Sequence, residues 1–238
     1  MRFDIVTLFP EMFGDFLATS LIARAIEAGR LAVRFRNPRA FGLGKHRSVD
    51  DTPYGGGSGM VMRVDVLVAT MESLDADAPE GLLAHRVLLS PQGRVLDQSV
   101  VQGLAARPAI TLICGRYEGF DDRVREYVHE EVSLGDFVLA GGEVAAMAVL
   151  EACGRLIPGV LGNEASAIDE SHSPRSEGLL EYPHYTRPAE FRGKRVPEVL
   201  QGGNHGEIAR WRHDRSIERT RSVRPDIWER ISRGRPQS

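Results

Sequence analysis

Acidic, aromatic and glycine residues of this chain gather in three short stretches. They are Ser90-Pro91-Gln92-Gly93 after Val87-Leu88-Leu89, Gly115-Arg116-Tyr117-Glu118-Gly119 after Ile110 to Cys114, and Ser133-Leu134-Gly135-Asp136-Phe137-Val138-Leu139-Ala140-Gly141-Gly142-Glu143. Backbone N–H and C=O groups at Leu89, Gly115 and Leu134 to Leu139 can meet the hydrogen-bonding edge of a nucleobase. Leu89, Pro91 and Leu139 offer apolar walls, and Glu118 or Asp136 can take a hydroxyl or a cationic centre. These stretches hold no lysine, which argues against a triphosphate and for a neutral or cationic adenosine derivative. Phe137, Val138 and Leu139 read as a short buried strand, and the Gly141-Gly142 pair as a turn that opens a helix over Val144 to Leu150.

A fourth stretch has another character. From Asn37 to Met62 no apolar period is visible, and glycine density peaks at Tyr54-Gly55-Gly56-Gly57-Ser58-Gly59-Met60. Lys45, His46, Arg47, Asp50 and Asp51 stand beside it and can meet a substrate. Neither a P-loop lysine nor a GxGxxG turn after a strand is present, so the phosphate-cradle reading is weak. A flexible lid, a surface of close backbone approach and an ordinary surface loop all stay open.

The elements around these stretches repeat a pattern. Phe3 to Phe9 reads as a buried strand, Met12 to Leu17 and Leu21 to Ala28 as helices, Leu31 to Phe35 as a strand and Val64 to Leu74 as a helix. Strand, loop and helix then alternate three times: Val87 to Leu89 with the helix Asp97 to Ala106, Ile110 to Cys114 with Asp121 to Val128, and the Ser133 stretch with its own helix. That order is the signature of an α/β fold with a parallel sheet. All three loops leave strands at their C-terminal ends and should meet along one sheet edge as a pocket.

Composition limits the function classes. A chain of 238 residues with 42% hydrophobic and 26% charged residues suits a large globular domain plus a small one. No apolar run approaches the roughly 20 residues of a membrane span, and the start carries no signal-peptide pattern, so a cytoplasmic location is expected. Cys114 and Cys153 both lie in apolar stretches and read as buried, inert thiols. No His/Cys/Asp cluster has ligand spacing, so no metal residues are assigned, although a magnesium ion near acidic chain or RNA would leave little trace in sequence. The net charge of −3 hides a split, because Arg187 to Ser238 carries 13 Arg or Lys against 7 Asp or Glu while Met1 to Thr186 carries 17 against 26. The C-terminal part therefore reads as a small helical, polyanion-facing domain on an acidic body. Ile208, Trp211, Ile217, Ile227, Trp228 and Ile231 are its apolar anchors.

These loops, together with Leu8-Phe9-Pro10-Glu11-Met12-Phe13, Val49-Asp50-Asp51, Ile157-Pro158-Gly159-Val160-Leu161-Gly162, Pro183-His184-Tyr185-Thr186-Arg187-Pro188 and Gly203-Asn204-His205 through Trp211-Arg212, resemble the bacterial tRNA (guanine-N1)-methyltransferases of the SPOUT class. The resemblance covers nearly the whole chain in order. It implies transfer of a methyl group from S-adenosylmethionine to N1 of guanosine 37 of tRNA, a homodimer whose active sites draw on both subunits, and a trefoil-knotted cofactor domain. Periodicity alone gives a Rossmann-like sheet and no knot. The implied organisation is a catalytic domain over 1–161, a flexible linker over 162–185 and a helical tRNA-binding domain over 186–238.

The same resemblance assigns roles. Leu89, Ser90, Pro91, Gly93, Gly115, Tyr117, Glu118, Leu134, Gly135, Asp136, Phe137, Val138, Leu139, Gly141 and Gly142 are expected at the cofactor. His46, Asp50, Tyr54, Gly55, Gly56, Ser171 and Arg187 are expected at the tRNA. Neutral guanine N1 has no free lone pair, so a carboxylate base must remove its proton and a donor must meet the charge developing on O6. Arg155 falls at the donor position. The family places an aspartate before a serine as the base; here Glu170 precedes Ser171, and Asp169 precedes Glu170, so either carboxylate can serve. Methylation of another RNA, or RNA binding without catalysis, are the alternatives.

Overall fold

The computed structural model describes residues 1–161, 170–173 and 176–234, and the chain divides into two compact units, Met1–Gly162 and Asn163–Ser238. In the first unit β1 (Arg2–Val6) is followed by a 3-10 turn at Pro10–Phe13 and by helices α1 (Gly14–Leu17) and α2 (Ser20–Glu27). Next come β2 (Ala32–Arg36), the short antiparallel pair β3 (Asp50–Asp51) and β4 (Val61–Met62), and α3 (Val64–Ala76). The remainder runs β5 (His85–Val95), α4 (Gln98–Ala105), β6 (Ala109–Cys114), a 3-10 turn at Asp122–Tyr127, β7 (Glu130–Ser133) and α5 (Glu143–Gly154).

Five strands form a sheet in the order β2-β1-β6-β5-β7, and each neighbouring pair is parallel. A parallel sheet must cover both faces, because its crossover connections place other elements on them. Side chains along the strands split accordingly. Phe3, Ile5, Val87, Leu89, Ile110 and Leu112 are buried among residues of α2, α4 and α5, whereas Val6, Leu88 and Ile113 are buried with Val66, Leu67, Met71 and Leu74 of α3. Successive side chains point to opposite faces, so an apolar run without alternation is what such strands need. Buried Asp4 interrupts β1, and its carboxylate is held by Arg2 and Arg34 at 3.1 and 2.6 Å.

Three expectations change. Phe137, Val138 and Leu139 are not a buried strand: β7 ends at Ser133, and the trio is 54%, 83% and 39% exposed. Glu130 to Val132 take the register with Val87 to Leu89 of β5, while the Phe137 N–H turns back to the Gly135 carbonyl at 2.9 Å and leaves the sheet. Ser90 to Gly93 is a bulge within β5 rather than the end of a strand, since Leu89 and Arg94 both pair with Val132. The stretch from Asp121 to Val128 forms a 3-10 turn, its Asp121 side chain accepting from Arg123 N at 3.0 Å.

In the second unit β8 (Glu190–Phe191) and β9 (Lys194–Arg195) make a small hairpin, followed by helices α6 (His205–Val223) and α7 (Pro225–Gly234). Asn204 caps α6 by accepting from Gly206 N and Glu207 N, and Pro225 opens α7, where its missing N–H is harmless. Ile227, Leu179, Ser216 and Thr220 are buried, with Thr220 Oγ1 accepting from Leu180 N at 2.9 Å. Trp211 and Trp228, expected as core, are only half-buried; Arg221 lies 4.1 Å over the Trp228 ring, where a cation covers an aromatic face.

Candidate active site

The bulge of β5 and the C-terminal ends of β6 and β7 enclose a cavity of about 360 Å³. Each contributes for a local reason. The β5 bulge carries Ser90, Pro91 and Gln92 out of the ladder; β6 stops where Gly115 begins a turn; and β7 stops at Ser133, whose hydroxyl is bonded to the backbone of Gly135. Leu89, Ser90, Pro91, Gly115, Tyr117, Glu118, Leu134, Phe137, Val138, Leu139, Gly141 and Gly142 all line the cavity, together with residues not singled out from the sequence, among them Gln92, Arg116, Phe120, Asp122 and Arg125. Tyr117 holds φ at 61°, a left-handed conformation that a bulky residue adopts only when its surroundings impose it. Gly93, Gly135 and Asp136 stand outside the lining. Gly93 serves the sheet instead, because a Cβ there would come within 2.5 Å of the Glu131 carbonyl carbon.

Two arginines face the cavity, yet each is matched by acid. Arg125 bonds both carboxylate oxygens of Glu131 at 3.0 and 3.1 Å, Gln92 Oε1 at 2.9 Å, and Asp122. Arg116 Nη2 lies 2.8 Å from Oε2 of Glu143, which is 1% exposed. Glu118 remains as an exposed acid in a wall that mixes apolar side chains with Ser90, Gln92 and Ser133, and Asp136 is exposed outside the lining. The balance disfavours a polyphosphate and suits a neutral or cationic ligand. Beneath the wall the Cys114 thiol is pushed well up, chiefly by burial and further by Glu143. Burial likewise pushes Cys153 up to about 12, so both thiols are inert as expected.

The glycine-rich stretch is bonded to the lining loop that follows β6. Glu118 N donates to the Met60 carbonyl at 3.0 Å, Met62 N to the Gly119 carbonyl at 2.9 Å, and Asp121 N to the Met62 carbonyl at 3.0 Å. Gly59 lies against the Glu118 side chain, and its φ of 86° is the conformation that calls for glycine there. Gly55, Gly56, Gly57 and Gly59 all take positive φ. Tyr54 is fully exposed, Asp50 lies in β3, and exposed His46 sits in a turn closed by reciprocal Leu43 and Ser48 backbone bonds of 2.9 Å.

Arg155 is half-buried at the C-cap of α5, its N–H bonded to the Glu151 carbonyl at 3.1 Å. The turn after it is fixed by Arg30, whose Nη1 donates to the Pro158 carbonyl at 2.7 Å. Glu170, Ser171 and Arg187 belong to the second unit. Ser173 N donates to the Glu170 carbonyl at 3.2 Å, and Ser171 Oγ accepts from Glu181 N at 2.9 Å. Asp169 lies outside the described residues. Among the described residues no group of three or more His, Cys, Asp or Glu is placed to hold a metal, and no helix is long and apolar enough to cross a membrane.

A family profile described as tRNA (Guanine-1)-methyltransferase TrmD matches residues 1–230. The chain belongs to this family. Relatives named tRNA (guanine-N(1)-)-methyltransferase agree with the match: the one from Sorangium cellulosum is 60% identical, covering 99% of this chain and 96% of its own. Those from Geobacter metallireducens and Thermus thermophilus are each 51% identical and cover 97% and 95% of this chain, with 92% and 91% of their own. In this TrmD-family chain the lining residue Arg116 has a buried partner behind the wall that no spacing in the sequence announces. Arg116 and Glu143 stand inside two of the loop motifs, but only the fold shows that they meet.

Proposed function

We propose that this chain transfers the methyl group of S-adenosylmethionine to N1 of guanosine 37 in tRNA, and that it does so as a homodimer with a trefoil-knotted cofactor domain. The observation that carries the reading is the cavity at the β5 bulge and the ends of β6 and β7, lined by both apolar and polar side chains and charge-balanced, in a chain that matches the family over residues 1–230. The chemistry of the wall fits the cofactor. Leu89, Pro91 and Leu139 suit an adenine face, backbone groups from Leu134 to Leu139 suit its edge, and the Glu118 carboxylate suits a ribose hydroxyl or the cationic end. When bound, S-adenosylmethionine supplies a methyl group already activated by its sulfonium.

The protein's share is therefore alignment and proton removal. Glu170, or Asp169 beside it, takes the N1 proton, and the Arg155 guanidinium donates to O6 as negative charge gathers there. The bonding of Glu118 and Gly119 to Met60 and Met62 joins the cofactor loop to the glycine-rich stretch, which supports a place for Asp50, Tyr54, Gly55 and Gly56 at the guanosine. Exposed Phe137, Val138 and Val144 are apolar surface that a second subunit would cover. The arginines of the second unit would meet tRNA phosphates.

Incubating the full-length protein with total RNA and methyl-labelled S-adenosylmethionine tests the reading. Label should enter tRNA; cofactor binding without transfer would mean an RNA-binding relative without catalysis, and label confined to ribosomal RNA would mean another substrate.

A further inference from the structure

Behind the cavity lies a polar cluster that the proposed reaction does not use. Thr7 Oγ1, just past the end of β1, donates to Glu143 Oε1 at 2.8 Å and accepts from Phe9 N at 3.0 Å. The other oxygen of this buried carboxylate lies 2.8 Å from Arg116 Nη2. The Arg116 guanidinium also lies 4.4 Å over the Phe9 ring, and its Nη1 is 3.4 Å from the Ala140 carbonyl. A side chain at Gly141 would overlap this guanidinium, and one at Gly142 would sit 2.7 Å from Cys114 Cα. Both glycines thus keep room for the cluster and for close approach of α5 to β6, and neither needs positive φ.

One planar cation therefore joins three pieces of chain: the segment after β1, the loop after β6 and the loop before α5. The latter two carry most of the cavity lining. One backbone bond, from Gly142 N to the Gly115 carbonyl at 2.9 Å, ties the two loops, and the ion pair of the buried carboxylate with a planar cation adds a side-chain contact across the same gap. Replacing the guanidinium would leave Gly142 held to Gly115 by that one backbone bond and would loosen Ala140 and Gly141, with the other lining side chains in place.

We infer that Arg116 and Glu143 are positioning residues that set cofactor affinity by locking the two lining loops together. This rests on the proposed use of the cavity for S-adenosylmethionine. Arg116→Lys keeps a charge beside Glu143 but cannot bond Glu143 and Ala140 and cover Phe9 at once. Calorimetric titration with S-adenosylmethionine should show it binding on the order of ten-fold more weakly, with KM for the cofactor raised and kcat little changed. Glu143→Gln, which retains the Thr7 bond, should shift affinity in the same direction. Val149→Ala, a fully buried position in α5, serves as the control for stability alone. It should lower the melting temperature and leave cofactor affinity within about two-fold at temperatures well below melting. Equal affinity losses in Arg116→Lys and Val149→Ala, or no loss in Arg116→Lys, would overturn the inference. A wild-type protein that fails to bind S-adenosylmethionine would instead overturn the proposed function beneath it.

Discussion

Proton removal from N1 places the heaviest demand on a single carboxylate. Glutamate carries one methylene more than aspartate, which shifts the carboxylate by about a bond length, ~1.5 Å. If Glu170 is the base, Glu170→Gln lowers single-turnover methyl transfer by on the order of a hundred-fold or more with cofactor affinity unchanged, and Asp169→Asn costs far less. Rapid-quench assays on both variants decide it; reversed effects would assign the base to Asp169. Gly142 makes a different kind of demand. Its missing side chain lets α5 start against backbone atoms of Cys114 and Gly115, 2.7 and 2.9 Å from where a Cβ would lie. Backbone cannot rotate away as a side chain can, so Gly142→Ala should cost about 1–3 kcal/mol, measured by chemical denaturation.

Helix α4 shows how one capping group acts on an element. The Asp97 side chain accepts from Val100 N at 2.9 Å, and this bond holds its carboxyl below the usual carboxylate range. A depressed folded-state value means the stabilisation is present above the unfolded value near ~3.9 and is lost as pH falls through the lower folded value. Asp97→Ala should therefore destabilise by about 1 kcal/mol at pH 7, and the gap to wild type should shrink in melts repeated below pH ~4. The sheet was readable from sequence because β1, β5 and β6 are buried on both faces and hence apolar without alternation. Phe137 to Leu139 misled for the same reason. An apolar trio that walls a cavity has the composition of a buried strand, and only the register of Glu130 to Val132 with β5 separates the two. Most of the cavity's lining followed from loop motifs. Arg116 with Glu143 did not, because a pairing between two loops so far apart in the chain leaves no spacing signal. Gly93 stands outside the lining, and glycine at a bulge and glycine at a ligand look alike in sequence.

At the scale of the molecule, charge is the organising quantity. The excess of Arg and Lys over acid lies after Arg187, and the exposed faces of α6 present Arg210 and Arg219. If these meet tRNA phosphates, affinity falls steeply with salt, and replacing both by alanine weakens binding across tRNA species while lowering the salt slope by about one unit for each phosphate no longer neutralised. Filter binding from low to moderate salt measures both effects; a slope unaltered by the double substitution would remove these two arginines from the interface. The division of labour also predicts that calorimetric affinity for S-adenosylmethionine stays unchanged in the same variant.

The atom and the position that receive the methyl group define the reaction. Full-length protein should be given S-adenosylmethionine and two tRNA transcripts that differ only in having guanosine or adenosine at position 37, and the products digested to nucleosides and separated by mass. 1-Methylguanosine should form from the first transcript and not from the second. A methyl group on any other nucleoside, or equal 1-methylguanosine from both transcripts, would contradict the proposed reaction.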